Sequence, residues 1–133
     1  MIVYPAYQLY KKDEKYDGPD FWKDGVVNYP YSVTGGAQFY FPENRFDIPT
    51  NGTVEFSQIP LNLYTTIKFT GYGVRTNATV SVYVGGVKVR QLTFFTSSDN
   101  VIVTIPENLR VKNQTVKLTC LSGTAIVTAA TLS

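Results

Sequence analysis

Residues able to do covalent chemistry are scarce in this chain, and their absence excludes most reaction types. There is no histidine and one cysteine, Cys120. A Ser-His-Asp or Cys-His nucleophile therefore cannot be assembled, and a zinc site of nitrogen and sulfur ligands lacks donors. Ten Asp and Glu residues remain as candidate acids and bases. Glycoside cleavage would need two of them facing each other across a cleft, but they lie mostly in the N-terminal third and in turns, with no motif around any of them. Asp17, Asp20 and Asp24 come nearest to a cluster, and their spacing lacks the Asp-x-Asp-x-Asp-Gly pattern of a calcium loop. The expectation is a protein without catalytic residues, metal or cofactor.

What remains is recognition by aromatic rings, of which there are ten Tyr, eight Phe and one Trp. Trp22, Tyr29, Tyr31 and Tyr72 are candidates for stacking on the flat apolar faces of a glycan, with Arg75, Asp99 and Asn100 supplying polar contacts from loops. The competing use of the same rings is burial, since each removes a large apolar area from water. Tyr4, Tyr7 and Tyr10 recur every third residue beside Pro5, which in an extended polyproline-like conformation aligns them on one side. With Trp22 they read as an aromatic arm that packs on its own domain or docks on a neighbouring subunit. Asn51, Asn77 and Asn113 each open an Asn-x-Thr acceptor for N-glycosylation.

Strands must carry these side chains. Apolar residues make up 44% of the chain and charged ones 17%, a β-rich composition. The clearest local signal is V-S-V-Y-V-G-G-V-K-V, residues 80–89. It predicts a two-residue hairpin turning at Gly85-Gly86, with Val84 facing Val87, Val82 facing Val89 and Tyr83 facing Lys88. Leu92 and Phe94 fall on the opposite parity, which predicts a bulge near Arg90-Gln91 or a strand that changes sheets. Elsewhere the alternation predicts a strand within residues 26–33 limited to an edge by Pro30, and a short one over 37–41 with Phe39 and Phe41 on one face. It predicts a long loop over 42–52 ending in the Asn51-Gly52 turn, a strand through Val54 and Phe56, and a long strand through Leu63, Thr65, Ile67 and Phe69. Gly71-Tyr72-Gly73 reads as a loop leaving Tyr72 projecting, and residues 96–100 as another. Strands follow at 101–105 and 115–121, with Cys120 as a core thiol, and the one at 125–132, apolar on both parities, reads as central.

Eight to ten short strands at this spacing predict an all-β antiparallel sandwich, jelly-roll-like, with residues 1–24 as an extended N-terminal arm and 25–133 as one domain. The run from V-S-V-Y-V-G-G-V-K-V through V-I-V-T-I-P, L-R-V-K-N-Q-T-V-K-L-T and S-G-T-A-I-V, within residues 62–133, resembles the C-terminal half of galactose-binding-like jelly rolls. That group includes carbohydrate-binding modules and modules of viral and phage particles. The resemblance implies a jelly roll and either sugar binding or a place in a particle, and the chain departs from the sugar-binding members in having no Trp-rich ligand loop.

The net charge of +2 gives no reason to expect a nucleic-acid partner, although residues 56–133 hold seven basic residues against two acidic ones. No stretch approaches the ~20 apolar residues of a membrane span, so no membrane insertion is expected, and the N-terminus lacks the pattern of a secretory signal. The first expectation is a non-enzymatic structural or assembly protein, a virion component such as a capsid decoration, fibre or minor coat protein. It would dock to copies of itself or other particle proteins through the arm and the sheet edge near residues 26–33, placing it in a virion or on an extracellular surface. The alternative is a carbohydrate-binding module that stacks surface glycans on exposed aromatics.

Overall fold

The computed structural model describes residues 16–133, so Tyr4, Tyr7 and Tyr10 lie outside the described residues. Among the described residues twelve strands run in chain order: β1 (Trp22–Lys23), β2 (Val26–Val27), β3 (Tyr31–Thr34), β4 (Gln38–Tyr40), β5 (Arg45–Ile48), β6 (Thr53–Ile59), β7 (Thr66–Gly73), β8 (Ala78–Val84), β9 (Val87–Phe94), β10 (Asp99–Thr104), β11 (Gln114–Ser122) and β12 (Ala125–Leu132). They form two five-stranded sheets, β10-β7-β12-β5-β4 and β3-β6-β11-β8-β9, beside the small β1-β2 pair. All the pairings are antiparallel. The sheets face each other across one apolar core, an all-β sandwich in which β12 is central as its two-sided apolarity predicts.

Alternation places the core. Val54 and Phe56 on β6, Val80, Val82 and Val84 on β8, and Val116, Leu118 and Cys120 on β11 are buried on the inner face of the second sheet. They meet Phe46, Ile48, Ile67, Phe69 and Val127 of the first sheet. The hairpin turns at Gly85-Gly86 with Val84 facing Val87 and Tyr83 facing Lys88, as expected. The bulge comes earlier than expected: Val82 faces Arg90, leaving Val89 as the extra residue. One inserted residue exchanges the faces of everything after it, so Leu92 and Phe94 are buried; Val87 lies before the bulge, opposite the buried Val84, and is exposed at the end of the edge strand β9.

Four other expectations are corrected. The long loop at 42–52 contains β5, paired with β4 and β12. Leu63 is 57% exposed in a single 3-10 turn over Leu61–Leu63, and the strand begins only at Thr66. Phe41 lies in another such turn and is exposed, instead of sharing a strand face with Phe39. Pro30 divides the expected strand at 26–33 into β2 and β3, its carbonyl accepting from the Ser57 amide at 2.9 Å.

Residues 19–22 belong to the sandwich. The first half of β12 pairs with β5 through Ala125, Ile126 and Val127. Beyond its bulge, the second half bridges Thr131 to Asp20, with the Phe21 amide donating to the Ala130 carbonyl at 3.0 Å and the Leu132 amide to that of Pro19 at 2.8 Å. Phe21 and Trp22 then seal the flank of the sandwich, the Trp22 ring 4.7 Å from Phe46 and 6.0 Å from Phe56, centroid to centroid.

Candidate functional site

The fold separates the aromatic residues expected to stack on a ligand. Trp22 and Tyr29 are each 3% exposed, so neither offers a ring face. Their polar ends are satisfied internally, Trp22 Nε1 donating to the Asn44 carbonyl at 3.1 Å and the Tyr29 hydroxyl to that of Gly18 at 2.7 Å. Burial also drives the Tyr29 phenol well above the ordinary tyrosine range, with Tyr64, Tyr16 and Asp17 adding to the shift. Tyr31 is exposed on the flank, its ring centroid 5.4 Å from that of Phe46. Arg75 stands in the exposed β7–β8 turn with φ of 67°.

Tyr72 lies on β7 and not in a loop. Its flanking glycines serve close approach: a Cβ on Gly71 would strike the Ile126 carbonyl oxygen, and one on Gly73 that of Thr76. With Ile67, Phe69, Gly71 and Gly73 facing inward, Lys68, Thr70 and Tyr72 are turned to the outer face of the first sheet. Asp99 and Asn100, expected in a loop, open β10, with Asp99 opposite Gly71 and Asn100 opposite Thr70. The Thr70 hydroxyl donates to Asn100 Oδ1 at 2.7 Å. Tyr72 and Asn100 are thus the two expected residues that share one surface.

That surface also carries residues the sequence reading missed. Ile126 pairs with Tyr72 on one side and Asp47 on the other, and Asp47 pairs with Gln38. The row Tyr72, Ile126, Asp47, Gln38 therefore crosses four strands, a span of roughly 14 Å at the usual inter-strand spacing. Arg45 binds Asp47 through Nε to Oδ1 at 2.8 Å and Nη2 to Oδ2 at 3.4 Å, and its guanidinium carbon lies 5.0 Å from the Tyr40 ring centroid. This contact with Asp47 raises the Arg45 pKa further. The R-F-D-I alternation at residues 45–48 is the signal that would have placed Arg45 and Asp47 outward, but the flanking prolines disguised it as a loop. Toward the opposite end of the same face, a hollow of about 430 Å3 is lined by Thr66, Lys68, Ile102 and Thr131, among others. Ile126 is covered within this row and Tyr72, Arg45 and Asp47 are half-buried; an aromatic ring, a fixed guanidinium-carboxylate pair and two amides on one outer face can contact an apolar ring face and hydrogen-bond to hydroxyls around it.

Asn51, Asn77 and Asn113 are all exposed. Asn51 and Asn77 stand at the end of the sandwich that holds Arg75, where Thr50 Oγ1 donates to the Gly123 carbonyl at 2.6 Å, and Asn113 stands at the other. No helix among the described residues is long and apolar enough to cross a membrane.

No protein-family model matches the chain, and no curated protein matches its sequence. Solved structures do match in shape. Carbohydrate-binding module CBM36, in complex with calcium and xylotriose, aligns with TM-score 0.59 and 21% identity over 80% of this chain and 94% of its own. CsCBM6-3 from Clostridium stercorarium, in complex with cellobiose, aligns with TM-score 0.61 and 17% identity over 80% of this chain and 88% of its own. The exo-beta-1,3-galactanase Pc1,3Gal43A from Phanerochaete chrysosporium, with galactose, gives TM-score 0.62 and 13% identity, this chain spanning only 30% of that enzyme. Among the described residues no three His, Cys, Asp or Glu side chains come together as a metal site. The likeness reaches well beyond residues 62–133, and the chain has the galactose-binding-like jelly-roll fold that carbohydrate-binding modules share.

Proposed function

We propose that this chain is a non-catalytic glycan-binding module that holds an oligosaccharide on the outer face of its first sheet. The observation that carries this reading is the row across β7, β12, β5 and β4, in which Tyr72 stands beside the Arg45–Asp47 pair. Tyr72 supplies the stacking surface, and Asp47, Gln38 and Asn100 supply hydrogen-bond groups at fixed positions on strands. Their support on a sheet limits the ordering cost of binding. Sugars held by neighbours of the same fold, xylotriose by CBM36 and cellobiose by CsCBM6-3, support the ligand class by analogy of fold.

The test is calorimetric titration of the chain with xylotriose and with cellobiose. Tyr72→Ala is expected to weaken binding at least tenfold, about 1.4 kcal/mol, while Tyr31→Ala leaves it unchanged. Equal affinity of Tyr72→Ala and the parent chain would remove the reading.

One observation favours a second reading, the structural or virion component assembled with copies of itself or other particle proteins. β3 is an edge strand of the second sheet, and Tyr31 and Val33 on it are 43% and 37% exposed, a surface able to accept another strand. This reading expects a defined oligomer by light scattering that Val33→Lys dissociates. A monomer at every concentration would count against it.

A further inference from the structure

At the end of the sandwich opposite Arg75, a cleft of about 440 Å3 opens between the end of β6, the turn after it and the β10–β11 connection. That volume is in the range of small-ligand sites. We propose that this cleft is a second, independent saccharide site that takes a short neutral oligosaccharide; the ligand class rests on the glycan-binding reading, but the site shares no residue with the sheet face.

The backbone gives the first reason. Phe56 pairs with Val116 and Ile59 with Gln114, so β6 carries Ser57 and Gln58 where β11 carries Thr115 alone. At this bulge Gln58 has φ of 60°, a conformation natural to glycine and costly for a side chain that makes no local compensating turn. The chain keeps a strained glutamine where glycine would fit better, and that glutamine lines the cleft. Asn113, with φ of 54°, lines it too. Asn adopts that conformation readily in a turn, so the strain at this concave surface is that of Gln58, and strain held at a cleft is a pointer to function.

The lining gives the second reason. Gln58, Asn62 and Asn113 bring amides that both donate and accept, and Leu63, 57% exposed, and Tyr16 line the same cleft. An apolar side chain bordered by amides matches a sugar, whose C–H faces and hydroxyls alternate around one ring. Asp17 and Lys112 leave the lining without net charge, which disfavours an ionic ligand.

The experiment is a titration of the full chain, 15N-labelled, with xylotriose, cellobiose and galactose, following backbone amides by NMR. Gln58, Asn62 and Asn113 report the cleft, and Tyr72, Asp47 and Asn100 the sheet face. The expected result is two sets of shifts with separate saturation curves. Gln58→Gly relieves the backbone, so its Tm is expected to equal or exceed the parent's while affinity at the cleft falls at least fivefold and the face is unaffected. Cleft amides that stay still while face amides move overturn this proposal and leave the sheet-face reading intact. Cleft amides that move alone uphold the second site and remove the first. Stillness of both sets overturns both, and a Gln58→Gly chain that folds and binds as the parent does overturns the assignment of Gln58.

Discussion

Tyr72 and Trp22 look alike as sequence, lone aromatic residues beside turn-forming neighbours, yet the fold gives them opposite surroundings. Tyr72 sits on the outward parity of β7, whereas Trp22 fills the flank between Phe46 and Phe56. Parity can be read only along an alternating run, and the two residues of β1 provide none. Trp22→Ala is expected to destabilise the fold by about 3–5 kcal/mol, seen as a lower urea midpoint at unchanged slope; a neutral effect would mean that the ring is not a core element. Cys120 shows the legible case. Alternation with Val116 and Leu118 predicts a core thiol, and the residue is buried with its pKa pushed up by desolvation. Its Sγ–H reaches the Ser122 and Gly123 carbonyls at 3.3 and 3.4 Å. Desolvation outweighs the backbone hydrogen bonds with Ala125 and Ser122, which act the other way, and a buried thiol held up in pKa is unreactive, so a disulfide reagent at mildly alkaline pH should leave the native thiol untouched and modify it promptly in denaturant. Rapid labelling of the native chain would contradict that burial.

At the scale of elements, strands with unbroken alternation were legible: β6, β11, β12 and the β8–β9 turn stand where the pattern puts them. The misplaced features depend on contacts between distant segments. β5 looks like a proline-bounded loop because its pairing partners are β4 and the remote β12. Gly71 looks like a loop breaker because nothing local reveals that the β12 backbone comes up against it. A methyl group at Gly71 has no flexible side chain to displace, only the Ile126 carbonyl. Gly71→Ala should therefore cost at least the 1–3 kcal/mol typical of overpacking, roughly. Thermal melts of Gly71→Ala beside Gly86→Ala would check this, because a Cβ on Gly86 meets no atom within 4 Å and only its φ of 81° opposes the change. If Gly71→Ala is the milder of the two, close approach is not what selects glycine there.

Across the whole molecule, the core and the proposed sugar face lie on opposite sides of the first sheet, and this separation has a thermodynamic signature. Composition and turn spacing were enough for an all-β sandwich, but the proposed sugar face was not legible, because it exists only where β10, β7, β12, β5 and β4 come side by side. A ligand that binds only the folded chain stabilises it by about 2.7 kcal/mol at a hundred times its Kd. For a domain of 133 residues this corresponds to a rise in Tm of roughly 10 °C. Tyr72→Ala removes an outward side chain, so it should leave the ligand-free Tm within about 2 °C of the parent and abolish the rise on adding sugar. Trp22→Phe thins the core beneath β5 without touching the outer face, so it should lower the ligand-free Tm and keep the full rise. Differential scanning calorimetry of the three chains with and without xylotriose distinguishes these patterns. If Trp22→Phe loses the rise and Tyr72→Ala keeps it, the sugar is not held on the outer face, and the flank sealed by Trp22 is the surface it uses.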